Sequence, residues 1–335
     1  MKKIFFLLFT CITLFHVKAQ DIHYSQFYNS PLTLNPALTG KTDGSFRVNV
    51  NYRNQWFGIS SEGATYETPS ISFEKPIRVG KNDVFGLGVV LVNDQSSAGR
   101  LTNFSAMLST AYHKSLDQNG RHVISLGLQG GYAQKRLDFA NLKFASQFEN
   151  IGGWQHNPGL PSLENIPETN VGNFDMQAGL LWTSRIGSNV LAYAGFSMFH
   201  VLEPEQNFTD GSTLKLPRRN VVHAGADFAL SDRFSLLPSV IYMQQAKVDQ
   251  LNAGLAAAID FNEESALYLG AYYRIDDAVI PYAAFELRGF KLGLSYDVTV
   301  SELNQTNGSI ELSLSYTGRY TPMPEAKPSL FAPRF

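Results

Sequence analysis

The sequence predicts an all-β transmembrane antiparallel barrel of about fourteen strands, with an N-terminal segment that plugs it. Three observations point there. Long segments alternate apolar and polar residues with period two, the signal of a half-buried strand. The connections after even-numbered strands are short and those after odd-numbered strands are often longer, as in barrels whose turns face the periplasm and whose loops face outward. No stretch beyond residue 20 is apolar for some eighteen residues, so membrane-spanning helices are excluded.

Residues 1–19 read as a signal peptide, excluded from the fold. Lys2 and Lys3 precede the apolar run IFFLLFTCITLF, and Val17-Lys18-Ala19 offers small residues at −3 and −1 for cleavage before Gln20. The single cysteine, Cys11, lies in that leader, so the exported chain has no disulfide and no thiolate metal site. Formal net charge is −2, which gives no basic footprint for nucleic acid.

Residues 20–44 carry SQFYNSPLTLNPALTG, with paired Asn and Pro residues that favour irregular backbone. Its aromatics need burial. In a barrel too wide for its own side chains to fill, the lumen is the available interior. The segment is expected to tuck into the barrel or close its periplasmic mouth; a periplasmic arm that docks on a partner is the alternative.

The barrel is expected over 45–318. FRVNVNYRN places Phe46, Val48, Val50 and Tyr52 on one face, and Arg47, Asn49, Asn51 and Arg53 on the other. The candidate strands are 45–54, 64–75, 84–93, 100–114, 122–135, 173–185, 189–201, 220–230, 233–245, 250–261, 265–275, 279–287, 290–300 and 308–317. Many match the roughly 9–11 residues that a tilted transmembrane strand needs. Pro69 and Pro238 interrupt two of them and are read as bulges or strand ends. The tail, 319–335, is Pro-rich.

Little in the chain resembles an active site. The histidines of the exported chain have no helical zinc spacing; His200 and His223 could meet near the outer ends of adjacent strands. Ser72-Phe73-Glu74-Lys75 matches an S-x-x-K pattern, but on a strand those two side chains face opposite ways. Gly86-Leu87-Gly88 lacks the helix of a dinucleotide motif and reads as a strand that bends or packs closely on a plug. No catalytic, cofactor or metal residue is assigned. The polar faces carry Arg47, Arg53, Asp227, Asp260, Arg274, Lys291, Asp297 and Glu311. They read as a salt-bridged lining that anchors the plug, or as a selectivity lining for a charged solute.

The connections 136–172 and 202–219 are the longest on the outer side. Their aromatics among adaptable polar residues suit protein recognition, or equally a loop that folds over the barrel mouth and packs its own aromatics. Phe144, Phe148, Trp154, His156 and Phe208 are the candidate contacts.

QDIHYSQFYNSPLTLNPALTG followed by FRVNVNYRNQW resembles the start of PorP/SprF-family proteins of the type IX secretion system. The resemblance is carried by Gln20, Asp21, Tyr24, Ser25, Gln26, Phe27, Tyr28, Pro31, Asn35, Pro36, Ala37 and Gly40, then Asn51, Tyr52, Arg53, Gln55 and Trp56. The terminal APRF is similar to the ending of some members, which often have Cys where Ala332 stands. The resemblance implies an outer-membrane accessory that binds one secreted cargo or adhesin by its C-terminal signal domain, as in gliding motility, beside the core translocon and within outer-membrane lipid. It implies no enzyme and no conducting channel. Phe27, Tyr28, Asn35, Pro36, Arg53 and Trp56 are the expected contacts between plug and wall. A plugged solute transporter is the alternative function.

Overall fold

Alternation of this length can be satisfied only by a sheet whose two faces meet different surroundings. The computed structural model describes residues 21–57, 65–96, 101–138, 142–164, 169–208, 214–301 and 306–319. The leader, the tail beyond Arg319 and short parts of the long loops lie outside the described residues.

The strands are β1 (Phe46–Gln55), β2 (Tyr66–Val79), β3 (Asp83–Ser96), β4 (Leu101–Ser115), β5 (His122–Leu137), β6 (Phe148–Asn150), β7 (Trp154–His156), β8 (Asn170–Ile186), β9 (Val190–Phe199), β10 (Arg219–Ser231), β11 (Phe234–Gln245), β12 (Val248–Asn262), β13 (Ser265–Arg274), β14 (Ala278–Leu287), β15 (Phe290–Thr299) and β16 (Ser309–Gly318). Fourteen of them form one closed antiparallel barrel, and β6 and β7 form a separate hairpin. Closure comes from β1 against β16, in register from Phe46 opposite Gly318 to Gln55 opposite Ser309. A closed barrel leaves no unpaired edge, which a bilayer would not tolerate.

Every expected strand is present, several extended by a few residues. Pro69 and Pro238 are neither bulges nor ends. Pro238 stands opposite Leu255 within β11, and Pro69 opposite Tyr52 within β2. Each ladder keeps its register past the proline; pairing lapses only on one side, at Thr68 and Pro69 against β3 and at Leu237 and Pro238 against β10. A residue without an N–H loses one bond without displacing its neighbours.

The two faces differ as the alternation requires. Leu108, Leu126, Leu128 and Leu292 point outward and are more than half exposed. This belt is satisfied by lipid rather than water. The short turns, such as 232–233, 263–264 and 288–289, lie at one end, and the connections 138–169 and 200–218 at the other. By the barrel rule the second is the outer end.

The core lies inside the barrel and is built on the N-terminal segment. Phe27, Tyr28, Leu34, Ala37 and Leu38 pack with Leu181, Tyr193, Phe199, Ile241, Tyr272 and Ile280 from the wall. Leu32 joins Val90, Val92 and Met107 in a second cluster.

Candidate functional site: the barrel interior and the outer loops

The N-terminal segment folds as three short turns, Phe27–Asn29, Pro31–Leu34 and Pro36–Leu38. Pro31 and Pro36 each open a turn, where a missing N–H costs nothing and the fixed φ is already helical. Asn35 caps the last turn, its Oδ1 accepting from the Ala37 N–H at 2.9 Å. The same amide donates to the carbonyls of Leu180 (3.1 Å) and Phe196 (3.3 Å) and lies 3.0 Å from His223 Nε2.

The segment runs the length of the interior. Asp21 and Ile22 lie among Gln245, His200 and Arg219 at the outer end. Gly40 N donates to Glu74 Oε2 (2.7 Å) near the opposite end, and Ser45 N donates to the Gly318 carbonyl (2.8 Å). The wall makes room for it. A Cβ on Gly86 would sit 1.9 Å from the Thr39 carbonyl, and one on Gly127 2.2 Å from the Ala37 nitrogen. Of the two glycines of GLG, Gly86 marks a close approach of two backbones and Gly88 makes room for the Leu32 and Thr39 side chains.

Four wall charges meet the segment in the outer half. Arg53 pairs with Asp297 (2.8 Å) and Glu311 (3.2 Å), and Arg274 also pairs with Asp297. Ser25 bridges them: its Oγ donates to Asp297 (2.8 Å) and accepts from Arg274 (2.9 Å). Glu311 accepts the consecutive N–H groups of Ser25 (2.7 Å) and Gln26 (2.9 Å). The group holds two positive and two negative charges, and all four side chains are buried. Taking such ions from water is costly unless each is paired and hydrogen-bonded. Here the segment's own backbone supplies bonds that the wall lacks. Nearer the inner end, Glu74 joins Arg47 (2.7 Å) to Gly40 in the same way.

At the outer mouth, His200 Nδ1 lies 2.7 Å from Asp175 and Nε2 2.5 Å from Asp21. Burial disfavours charge on this imidazole, but the Asp21 and Asp175 carboxylates outweigh it and raise its pKa to about 9. Burial likewise works against the Asp21 carboxylate, yet His200 and Arg219 hold it well below the usual range. The start of the segment is therefore latched by opposite charges at neutral pH. His223 sits deeper, on Asn35, so the two histidines have separate partners.

The expected plug-and-wall contacts fall into two groups. Phe27 and Tyr28 stack against each other edge-on (5.1 Å), and both rings meet Tyr272. Pro36 lies against Gly127, and Asn35 and Arg53 are placed as above. Trp56 has another position: its ring meets Tyr66 of the wall edge-on (5.5 Å), and its backbone N–H donates to the carbonyl of Gly308, just before β16 (2.7 Å).

On the outer loops, β6 and β7 form a hairpin turned by Gly152 and Gly153, whose φ angles are 72° and 135°. Phe148 and His156 face each other across it (5.3 Å). Trp154 is 74% exposed, while Phe144 and Phe208 are half-buried. Asn157 donates to Glu149 (2.6 Å) and Gln147 to the Leu160 carbonyl (3.2 Å), which ties the loop to itself. The sequence reading missed this hairpin. Gly-Gly between alternating residues was the available signal. The latch was missed too, since its members stand far apart in the chain.

A closed antiparallel barrel whose outward face is an apolar belt defines an outer-membrane β-barrel protein. Solved structures of that class share its fold. The Ralstonia pickettii toluene transporter TbuX has a TM-score of 0.53 at 11% identity, over 87% of this chain and 94% of its own. The CymD monoaromatic hydrocarbon channel has 0.55 at 11%, over 87% and 93%. The Pseudomonas putida toluene transporter TodX has 0.53 at 13%, over 87% and 94%. At such identities the likeness concerns the fold alone. No curated protein matches the chain. The profile of the type IX secretion system membrane protein PorP/SprF matches residues 16–316. The chain belongs to the PorP/SprF family and is an outer-membrane component of type IX secretion.

Proposed function

We propose that this barrel is a non-enzymatic secretion accessory that holds the C-terminal domain of one secreted cargo protein on its outer loops. The observation that carries this reading is an ordered outer loop with exposed apolar side chains at its hairpin tip and at its base. Ile151 (62%) and Trp154 (74%) are exposed at the hairpin turn, and Leu163 (85%) is exposed at its base beside Ser146. Rigid exposed aromatics are the residues that dominate protein interfaces. Phe148 and His156 hold the two strands of the hairpin together, and Phe144 and Phe208 are half-buried on the outer loops. The interior serves as an anchor. Residues 21–44 occupy it, and the cavity beside Tyr28, Tyr193 and Tyr272 is about 20 Å³, room for about one water molecule.

The test is quantitative proteomics of surface and medium fractions from a strain that lacks the gene but keeps the core translocon. One or a few large proteins with C-terminal secretion domains should leave the surface. The purified barrel should retain that domain, and Trp154→Ala should release it. Unchanged surface proteins would overturn the proposal.

A second reading, a solute transporter, is favoured by the fold shared with the toluene transporters. Planar-bilayer recordings separate the two. The cargo reading expects a silent barrel that conducts once residues 21–42 are deleted, and the transporter reading expects conductance in the intact chain.

A further inference from the structure

The barrel wall is not of even height. β4, β5 and β8 have 15, 16 and 17 residues, whereas β13 to β16 have 10 each. Five extra residues add about 17 Å of strand. The outward face of this extension changes character along its length. Leu91, Ala106, Tyr132 and Phe174 form one transverse row, an apolar and aromatic boundary. The next row outward on the same face is Asn93, Phe104 and Gln134, and the one beyond is Gln95, Thr102 and Arg136. These two rows, with Asp138, line a cavity of about 410 Å³. Its volume falls in the range of ligand sites, about 300–1,000 Å³. Gly172 stands beside Gln134, and a Cβ there would lie 2.2 Å from the Tyr132 hydroxyl, so a side chain would displace this ring of the row below the cavity.

Polar side chains that face outward cannot lie in hydrocarbon without cost. Above an aromatic girdle they stand at the level of the headgroups and sugars of the outer leaflet. Three amides each offer a donor and an acceptor, Thr102 offers both, and Arg136 and Asp138 add one charge of each sign. Phe104 contributes one flat apolar face in the middle. Neighbouring hydroxyls need alternating donors and acceptors, and a pyranose ring has an apolar C–H face that stacks on an aromatic ring. A bare phosphate would call instead for several cations, and an acyl chain for an apolar lining.

We propose that this cavity, on the outer face of β3–β5 just above the membrane, is a saccharide-binding site that takes the sugar portion of an outer-leaflet glycolipid. Six of its seven lining residues face away from the lumen on β3–β5, and Asp138 begins the connection 138–169, so substitutions on the strands separate the site from the cargo loop.

The full chain in nanodiscs is titrated with three probes: lipopolysaccharide from the expressing strain, the polysaccharide freed from it by mild acid, and phosphatidylglycerol. Phe104→Ala and Gln134→Ala, alone and together, are compared with wild type, with heat-modifiable migration as the check on folding. Wild type should bind lipopolysaccharide, and the double substitution should weaken it by about tenfold or more, which is about 1.4 kcal/mol. Matching affinity for the freed polysaccharide would show that the sugar is read by itself. A wider gap would show that the lipid's membrane anchorage adds to it. Binding unchanged by the substitutions, or an equal variant-sensitive response to phosphatidylglycerol, would overturn the proposal. So would loss of the cargo domain in the same variants with no saccharide bound by wild type.

Discussion

Residues 21–42 and residues 142–164 have much the same composition and opposite fates. Both are irregular, aromatic and rich in Asn, with Pro in each. In the first, Phe27 and Tyr28 are about 5% exposed and most polar side chains have a partner on the wall. In the second, Trp154 is 74% exposed and most bonds are made within the loop. Composition alone says only that such a segment wants a surface. The enclosure around it decides whether that surface is its own barrel or another molecule.

The comparison breaks most sharply at the buried charges. Arg53→Ala leaves Asp297 and Glu311 short of a cation and should cost about 3–5 kcal/mol. Thermal unfolding in detergent would show it, and residues 21–42 should become cleavable by added protease. Phe27→Ala should cost a similar amount, about 3–5 kcal/mol, through the cavity it opens against Tyr28 and Tyr272. If either variant unfolds like wild type, the interior segment does not hold the barrel together.

Trp154→Ala should do the reverse. Stability should stay within about 0.5 kcal/mol of wild type, because the side chain is exposed. Cargo-domain affinity, measured by titration, should fall by about 2 kcal/mol or more, as for an interface anchor. Asn35→Ala sits between these extremes. It removes a cap and two donated bonds from the interior and should cost about 1–3 kcal/mol in the unfolding midpoint, with no effect on cargo.

The smallest expected effect comes from pH. The His200 pKa is raised from 6.5 to about 9, so its contribution to the latch is complete below 6.5 and is lost as pH rises through 9. Hydrogen exchange at Ile22 and His23, corrected for intrinsic rate, should quicken at pH 10 relative to pH 7. The amide of Asn157, which donates to the Gln147 carbonyl at the base of the β6–β7 loop, should not respond. Equal change at both places would place the effect outside the latch.

Much of this molecule was legible in its residues. Alternation in FKLGLSYDVTV and SIELSLSYT reports the two faces of β15 and β16, because a strand's side chains alternate whatever the barrel does with them. The turn lengths reported which end is which. The motif from Gln20 to Trp56 reported the family. Arg53 could be read as inward-facing, and Phe27 and Tyr28 as wanting burial. Trp56 was expected beside Arg53 as a contact that pins the segment to the wall, whereas it has left the strand with φ at 61° and turns to Tyr66.

Strand number, strand faces and the apolar belt follow from local chemistry, and the sequence by itself determined them. Three things were decided only when the sheet closed. One is the direction of threading, which sets Asp21 at the outer mouth beside His200, 179 residues away in the chain. Another is the four-charge group that joins Arg53, Arg274, Asp297 and Glu311 through Ser25. The third is the uneven height of the wall, which lifts a polar face above the bilayer. Each depends on which strands become neighbours and in what register, and pairing between distant strands is a property of the closed barrel rather than of any segment within it.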